Sequence, residues 1–283
     1  MTTTIYKSGL TATINTKGAE LVSLRNDAGR EYIWNGNPDF WGKHSPVLFP
    51  IVGTLKNNSY RYDGSTYNLS RHGFARDMEF EITSQTESKI IFSLRSSTQT
   101  LKVYPFEFEL RLIYSIDATG LQIGYKVWNR NKEPMPFSIG AHPAFALAGD
   151  FEDYSLFFSD DESLEFHLLE NDLVSDETEN LDLKNGQLPL DYKLFENDAL
   201  VFKTFQSDSV TIQKNDKPMV KVSFPDFPHL GLWTKKDAPF LCIEPWFGYA
   251  DTPDSNGNLF EKEGIQILAA GGNFETNFRI DVF

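Results

Sequence analysis

The stretch Phe106-Glu107-Phe108-Glu109-Leu110-Arg111-Leu112-Ile113-Tyr114-Ser115-Ile116-Asp117-Ala118-Thr119-Gly120-Leu121-Gln122-Ile123-Gly124-Tyr125-Lys126-Val127 decides how the chain is read. Its first half is apolar at every second position (Phe106, Phe108, Leu110, Leu112, Tyr114, Ile116), with Glu107, Glu109, Arg111 and Ser115 filling most of the gaps. Successive side chains on a strand point to opposite sheet faces, so a period of two marks a strand buried on one face. Asp117-Ala118-Thr119-Gly120 reads as a turn, and Leu121, Ile123, Tyr125 and Val127 resume the alternation. The two runs predict an antiparallel hairpin.

The same spacing recurs on both sides of this hairpin, at Ile90/Phe92/Leu94, Leu164/Phe166/Leu168, Val210/Ile212, Val220/Val222/Phe224 and Phe274/Thr276/Phe278/Ile280/Val282. Turn signals at Asn35-Gly36, Asp63-Gly64, Asn185-Gly186, Asn256-Gly257 and Gly271-Gly272 punctuate the runs, and no long 3.6-residue periodicity separates them. Many strands without crossover helices predict an all-β protein built as a large antiparallel β-sandwich. No Gly/Ser- or Pro-rich linker divides the chain and no fixed-period repeat appears, so residues 1–283 are expected to form a single domain.

With 283 residues, 40% of them hydrophobic, the chain can bury a sizeable core. Its 26 Lys+Arg against 40 Asp+Glu give a formal charge of −14, which repels nucleic acid and anionic membranes and argues against both as partners. The excess is local. Residues 133–183 hold 14 Asp/Glu and no Lys or Arg, including Asp160-Asp161-Glu162 and Asp176-Glu177, while the rest of the chain balances 26 acidic with 26 basic residues. An anionic small molecule is therefore not excluded elsewhere. Tyr154/Leu156/Phe158 and Leu164/Phe166/Leu168 still alternate within the acidic 150–182 stretch, which reads as a solvated face.

A lone cysteine, Cys242, excludes an internal disulfide framework and fits a reducing compartment, and no signal-like or 18-residue apolar stretch is present, so a cytoplasmic location is expected. A sandwich of this size needs no second chain, and a monomer or homodimer is expected.

Three segments carry titratable groups beside Gly or Pro: Arg71-His72-Gly73-Phe74-Ala75-Arg76, Gly140-Ala141-His142-Pro143-Ala144-Phe145 and Cys242-Ile243-Glu244-Pro245-Trp246-Phe247-Gly248. Gly73, Gly140, Pro143 and Pro245 shape the backbone so that His72, His142 and Glu244 can be aimed into a cleft, where a carboxyl and an imidazole with separated pKa values serve as base and acid. A satisfied core histidine and a strand-ending acid are the ordinary alternatives. Spacing alone does not bring the three segments together. Cys242 shares a strand face with Glu244 and reads as a small buried filler. Serine-hydrolase, P-loop, Rossmann and zincin motifs are missing, and His44, His167 and His229 lack ligand spacing, so no metal site is assigned.

At these segments the chain resembles the aldose 1-epimerase (galactose mutarotase) family, in its LacX-like and hexose-6-phosphate-epimerase-like branch. Trp34-Asn35-Gly36, Phe40-Trp41, Pro46-Val47-Leu48-Phe49-Pro50-Ile51-Val52-Gly53, His72-Gly73-Phe74-Ala75-Arg76, His142-Pro143-Ala144-Phe145 and Glu244-Pro245-Trp246 carry the resemblance over nearly the whole chain. It implies the galactose mutarotase-like supersandwich, in agreement with the strand pattern, and an isomerase without metal or organic cofactor. By resemblance Glu244 is base, His142 is acid and His72 stabilises charge at the sugar's ring oxygen or a neighbouring hydroxyl. The implied ligand is a small-molecule hexose or hexose 6-phosphate whose α and β anomers interconvert by ring opening and reclosure.

Further residues follow from the same resemblance. Asp198 matches a family aspartate that binds sugar hydroxyls, with a turn-forming role as the alternative. Trp41, Phe74 and Trp246 offer apolar faces to a pyranose, or serve as core. Where galactose-type enzymes carry an Arg/Asn segment this chain has Pro50-Ile51-Val52-Gly53-Thr54-Leu55-Lys56. The phosphate-using branch points instead to Arg76, with Lys56 and Arg71, as phosphate ligands; pairing of the arginines with Asp77 or Glu79 is the alternative. A noncatalytic sugar-binding or sugar-sensing protein on the same fold is the competing function. A lyase or glycoside hydrolase on a related sandwich is a third, opposed by the absence of a second motif-supported carboxylate.

Overall fold

A computed structural model describes residues 1–159 and 163–283. The acidic triplet Asp160-Asp161-Glu162 lies outside the described residues. Among the described residues two large sheets dominate, and their strands pair antiparallel. The first has nine strands, in the order Gln187–Pro189, Tyr154–Phe158, Ser209–Lys214, Lys217–Ser223, Asn273–Val282, Gly120–Asn129, Phe108–Ile116, Lys89–Arg95 and Glu81–Gln85. The second runs Leu173–Leu181, Leu164–Glu170, Leu200–Phe202, His229–Trp233, Phe240–Phe247, Ile139–Ala141 and Val47–Leu48, with Ala144–Ala146 also paired to Phe240–Phe247. A smaller sheet joins Thr2–Lys7, Leu10–Asn15 and Leu21–Asn26.

The hairpin of the opening stretch forms as its alternation predicts, with Leu121 opposite Ile116 and Val127 opposite Leu110. The Asp117 carboxylate accepts the Thr119 and Gly120 N–H groups, which closes the turn. Phe106, Phe108, Leu110, Leu112, Tyr114 and Ile116 are all buried, and each such side chain contributes roughly 1.5–3 kcal/mol. A one-residue slip would turn the set outward and forfeit on the order of 10 kcal/mol, so the register is firmly specified. Glu109, a solvent-face position by alternation, is buried for a different reason. It sits on the outer face beneath Arg111 and Arg130, each 2.6 Å from its carboxylate, with Arg95 at 3.7 Å.

Acidic residues between 150 and 182 do ride on strands: Tyr154, Leu156, Phe158 and Leu164 are buried, whereas Asp176, Glu177 and Glu179 are exposed. One apolar cluster, from Ile5 to Ile280, takes in residues of all three sheets.

The Phe240–Phe247 strand separates that core from a second environment. Leu241 and Ile243 join the main cluster, whereas Cys242 and Trp246, on the other face, belong to two smaller ones. Trp246 lies across the neighbouring strands, where it requires glycines. A Cβ at Gly231 would come within 2.3 Å of the indole, and one at Gly140 within 2.5 Å. Gly231→Ala is therefore expected to displace the indole and destabilise the fold by roughly 1–3 kcal/mol, the cost of overpacking. Urea unfolding checks this, and an unchanged midpoint would show that the indole moves freely.

Candidate active site

The antiparallel register assembles the site from segments distant in sequence. Gly140 pairs with Trp246 and Ala144 with Cys242, so His142, between the two short strands, falls opposite Glu244. Pro143 interrupts the strand there, yet its carbonyl still accepts the Ile243 N–H at 3.3 Å. His142 Nε2 lies 3.4 Å from Glu244 Oε2, with the residues only 7% and 2% exposed.

His72 arrives from a loop and adopts a left-handed conformation, φ 68°, followed by Gly73 at φ 70°. Gly73 is required for close approach, because a Cβ there would lie 2.3 Å from the Phe49 carbonyl oxygen, which also accepts the Phe74 and Ala75 N–H groups. The imidazole is fixed by reciprocal bonds: Gly53 N–H donates to His72 Nδ1 at 3.1 Å, and His72 N–H donates to the Gly53 carbonyl at 2.8 Å. With Nδ1 accepting, the neutral ring carries its proton on Nε2 and is a donor. The His72 and His142 rings are 5.7 Å apart and nearly perpendicular.

Burial sets the protonation of all three groups. It pushes the Glu244 carboxyl well above the ordinary carboxylate range, with Arg71 opposing. It drives the His142 imidazole down to about 3, helped by Arg76 and Arg71, and lowers His72 strongly, helped by His142. The resting pair is therefore a neutral carboxyl beside a neutral imidazole, holding one proton between them. Cys242 is held as a thiol, first by burial and then by the nearby Glu244.

His72, His142 and Glu244 line a cavity of about 490 Å³ together with Trp41, Arg71, Arg76, Asp198 and Trp246 from the sequence-derived candidates. That volume suits a small polar molecule. Trp41, whose carbonyl is held by Trp34 Nε1 at 2.9 Å, stacks on the His142 ring at 4.7 Å, so it supports the imidazole directly. Arg71 is 3.1 Å from Asp172 and 3.9 Å from Asp198, which offsets its charge. Arg76 donates to the Arg71 carbonyl at 2.8 Å and lies 3.8 Å from Asp77. Among the described residues, four of the eight buried side-chain polar atoms that lack a hydrogen-bond partner are His142 Nδ1, Glu244 Oε2, Trp246 Nε1 and Arg76 Nε. All four belong to residues that line this cavity.

Two candidates lie elsewhere. Phe74 packs in the core against Phe49, Tyr104 and Phe108, with ring centroids 6.0–6.3 Å away, because the backbone turn at Gly73 that points His72 into the cavity sends the next side chain the other way. Lys56 donates through its backbone N–H to Asp251 and through Nζ to the Ser255 carbonyl, and it lines an adjoining cavity of about 390 Å³ that shares Arg71 and Asp172. Sequence reasoning missed Trp233, edge-on to His142, and Asp172, which pairs with Arg71. Only the turn-prone Asn171-Asp172 pair could have signalled Asp172, since no motif surrounds either residue.

An antiparallel supersandwich whose cleft joins two imidazoles and a carboxyl defines a galactose-mutarotase-like protein. The chain belongs to the aldose 1-epimerase family, whose profile matches residues 1–277, and is an isomerase of mutarotase type. It is 36% identical over 277 residues to the chromosomal Protein LacX of Lactococcus lactis, covering 92% of each chain. The galactose mutarotase related enzyme of Lactobacillus acidophilus superposes with a TM-score of 0.95 at 34% identity, covering 100% of this chain and 97% of that one. A galactose mutarotase-like protein of Lactobacillus casei gives 0.95 at 30% identity, with both chains fully covered. No helix among the described residues is long and apolar enough to cross a membrane.

Proposed function

We propose that this protein interconverts the α and β anomers of a hexose or hexose 6-phosphate by acid–base ring opening and reclosure in the His72/His142/Glu244 cleft. The observation that carries this reading is the buried 3.4 Å approach of His142 Nε2 to Glu244 Oε2 in the wall of a cavity of sugar size. The carboxyl–imidazole pair and its carboxylate–imidazolium tautomer hold the same single proton, and the second form is the reactive one. Glu244 takes the C1 hydroxyl proton while His142 gives a proton to O5 and the C1–O5 bond breaks. Proton transfer leaves the pair as carboxyl and imidazole, the form that burial favours, so ring opening is assisted by the site's own electrostatics. The aldehyde then rotates about C1–C2 and reclosure reverses both transfers. His72, locked as an Nε2–H donor, stabilises charge on the ring oxygen or an adjacent hydroxyl. Asp198 and Trp246 hold the ring.

For the phosphate, the cavity favours Arg76, whose contact with Asp77 is 3.8 Å, over Arg71, which meets Asp172 at 3.1 Å and Asp198 at 3.9 Å. Arg76→Ala is expected to raise the KM for a 6-phosphate roughly 10- to 100-fold, the scale of a hydrogen bond to a charged group, and to leave the unphosphorylated sugar nearly unaffected. Equal effects on both substrates would identify a structural arginine. The reaction itself is tested by polarimetry of freshly dissolved α anomer. Relaxation to equilibrium should accelerate with catalytic amounts of protein, and an unchanged relaxation with bound sugar would establish a binding protein instead.

A further inference from the structure

We propose that Cys242, His142 and Glu244 form a three-ligand site for a thiophilic divalent cation, Zn²⁺, whose occupancy blocks the cleft. One ligand atom from each residue lies within 4.8 Å of the other two, and all three residues are buried, Cys242 completely. A tetrahedral ion with bonds of about 2.0–2.3 Å needs ligand atoms about 3.3–3.8 Å apart. His142 Nε2 and Glu244 Oε2 already stand 3.4 Å apart. The other two separations, each no more than 4.8 Å, need to close by at most about 1 Å to reach that geometry.

Strand geometry explains the triad. Cys242 and Glu244 share one face of a strand, and His142 stands across from Glu244 in register, so sulfur, nitrogen and oxygen converge on one point. A thiolate–imidazole–carboxylate set suits zinc and discriminates against Mg²⁺ and Ca²⁺, which prefer oxygen alone. His142 and Glu244 line the cavity, which supplies a path of entry and leaves the fourth position toward it. As the Zn–S bond forms, the thiol proton leaves to solvent, as does the carboxyl proton where Glu244 holds one. The ion then occupies both members of the acid–base pair. The inhibitory consequence rests on the function proposed above; the binding site does not.

The test uses the full chain, reduced and freed of metal by a chelator, titrated with Co²⁺ as a spectroscopic probe. A sulfur-to-cobalt charge-transfer band in the near ultraviolet is expected, displaced by Zn²⁺ and absent in Cys242→Ala. Zn²⁺ should suppress anomer exchange by the wild-type protein, with recovery on adding EDTA, whereas Cys242→Ala keeps basal exchange and loses the sensitivity. Absence of the band in the wild-type protein overturns the site, as does equal zinc sensitivity of the two proteins. Should Cys242→Ala not fold, the wild-type cobalt spectrum decides. Should the metal-free protein show no exchange, the band still decides the site while the loss falls on the function.

Discussion

Glu244→Gln is expected to lower the rate of anomer exchange by about 10²–10⁴-fold while raising thermal stability at neutral and alkaline pH. The amide keeps the shape of the carboxyl but cannot accept the C1 hydroxyl proton. The stability change follows from the raised pKa of the buried carboxyl. Above the ordinary carboxylate value the folded state binds more protons than the unfolded state, so this group makes stability fall as pH rises from there toward its folded pKa. Glutamine has no such group, and the variant's melting temperature should exceed that of the wild type by a margin that grows from pH 5 to pH 8. Gain of stability with loss of rate marks a residue held in place for chemistry at the fold's expense. A variant that is slow and also less stable would identify Glu244 as a structural partner of its neighbours.

His142→Asn is expected to cost a similar 10²–10⁴-fold in rate, by removing the donor to O5 while preserving a polar side chain of smaller size. Its effect on stability has the opposite pH signature. The imidazole falls from 6.5 to about 3 in the folded protein, chiefly through burial. The unfolded state therefore takes up the proton first as pH falls below 6.5, and the stability present above that value is progressively lost toward pH 3. His142→Asn should lose less melting temperature than the wild type between pH 7 and pH 5. His72, shifted in the same direction, retains its own contribution in this variant, so the acid sensitivity is reduced rather than abolished. Identical acid sensitivity in the two proteins would mean that His142 is not held neutral by its surroundings.

The hairpin from Phe106 to Val127 was legible because burial on one face writes itself as alternation, with the Asp117 turn as punctuation. Glu109 shows the limit of that reading: periodicity places its side chain away from the core but says nothing of the three arginines that cover it. At the site, His72, His142 and Glu244 each stood out beside a glycine or proline. Their convergence did not, because the Gly140–Trp246 and Ala144–Cys242 register depends on pairing across about a hundred residues. Phe74 illustrates the converse. It belongs to the same motif as His72, yet one left-handed turn at Gly73 sends the two side chains into different environments. Trp233 and Asp172 carried no local signature, since their roles exist only through His142 and Arg71.

The central claim, that this cleft exchanges anomers through Glu244, is tested most directly by NMR exchange spectroscopy at equilibrium on glucose, galactose and their 6-phosphates, with wild type and Glu244→Gln at equal concentration. The account predicts exchange cross-peaks between α and β C1 protons with wild type for at least one of the four sugars, and their collapse toward the uncatalysed level with the variant. Folded wild-type protein that accelerates none of the four, or a variant as active as wild type, would contradict it.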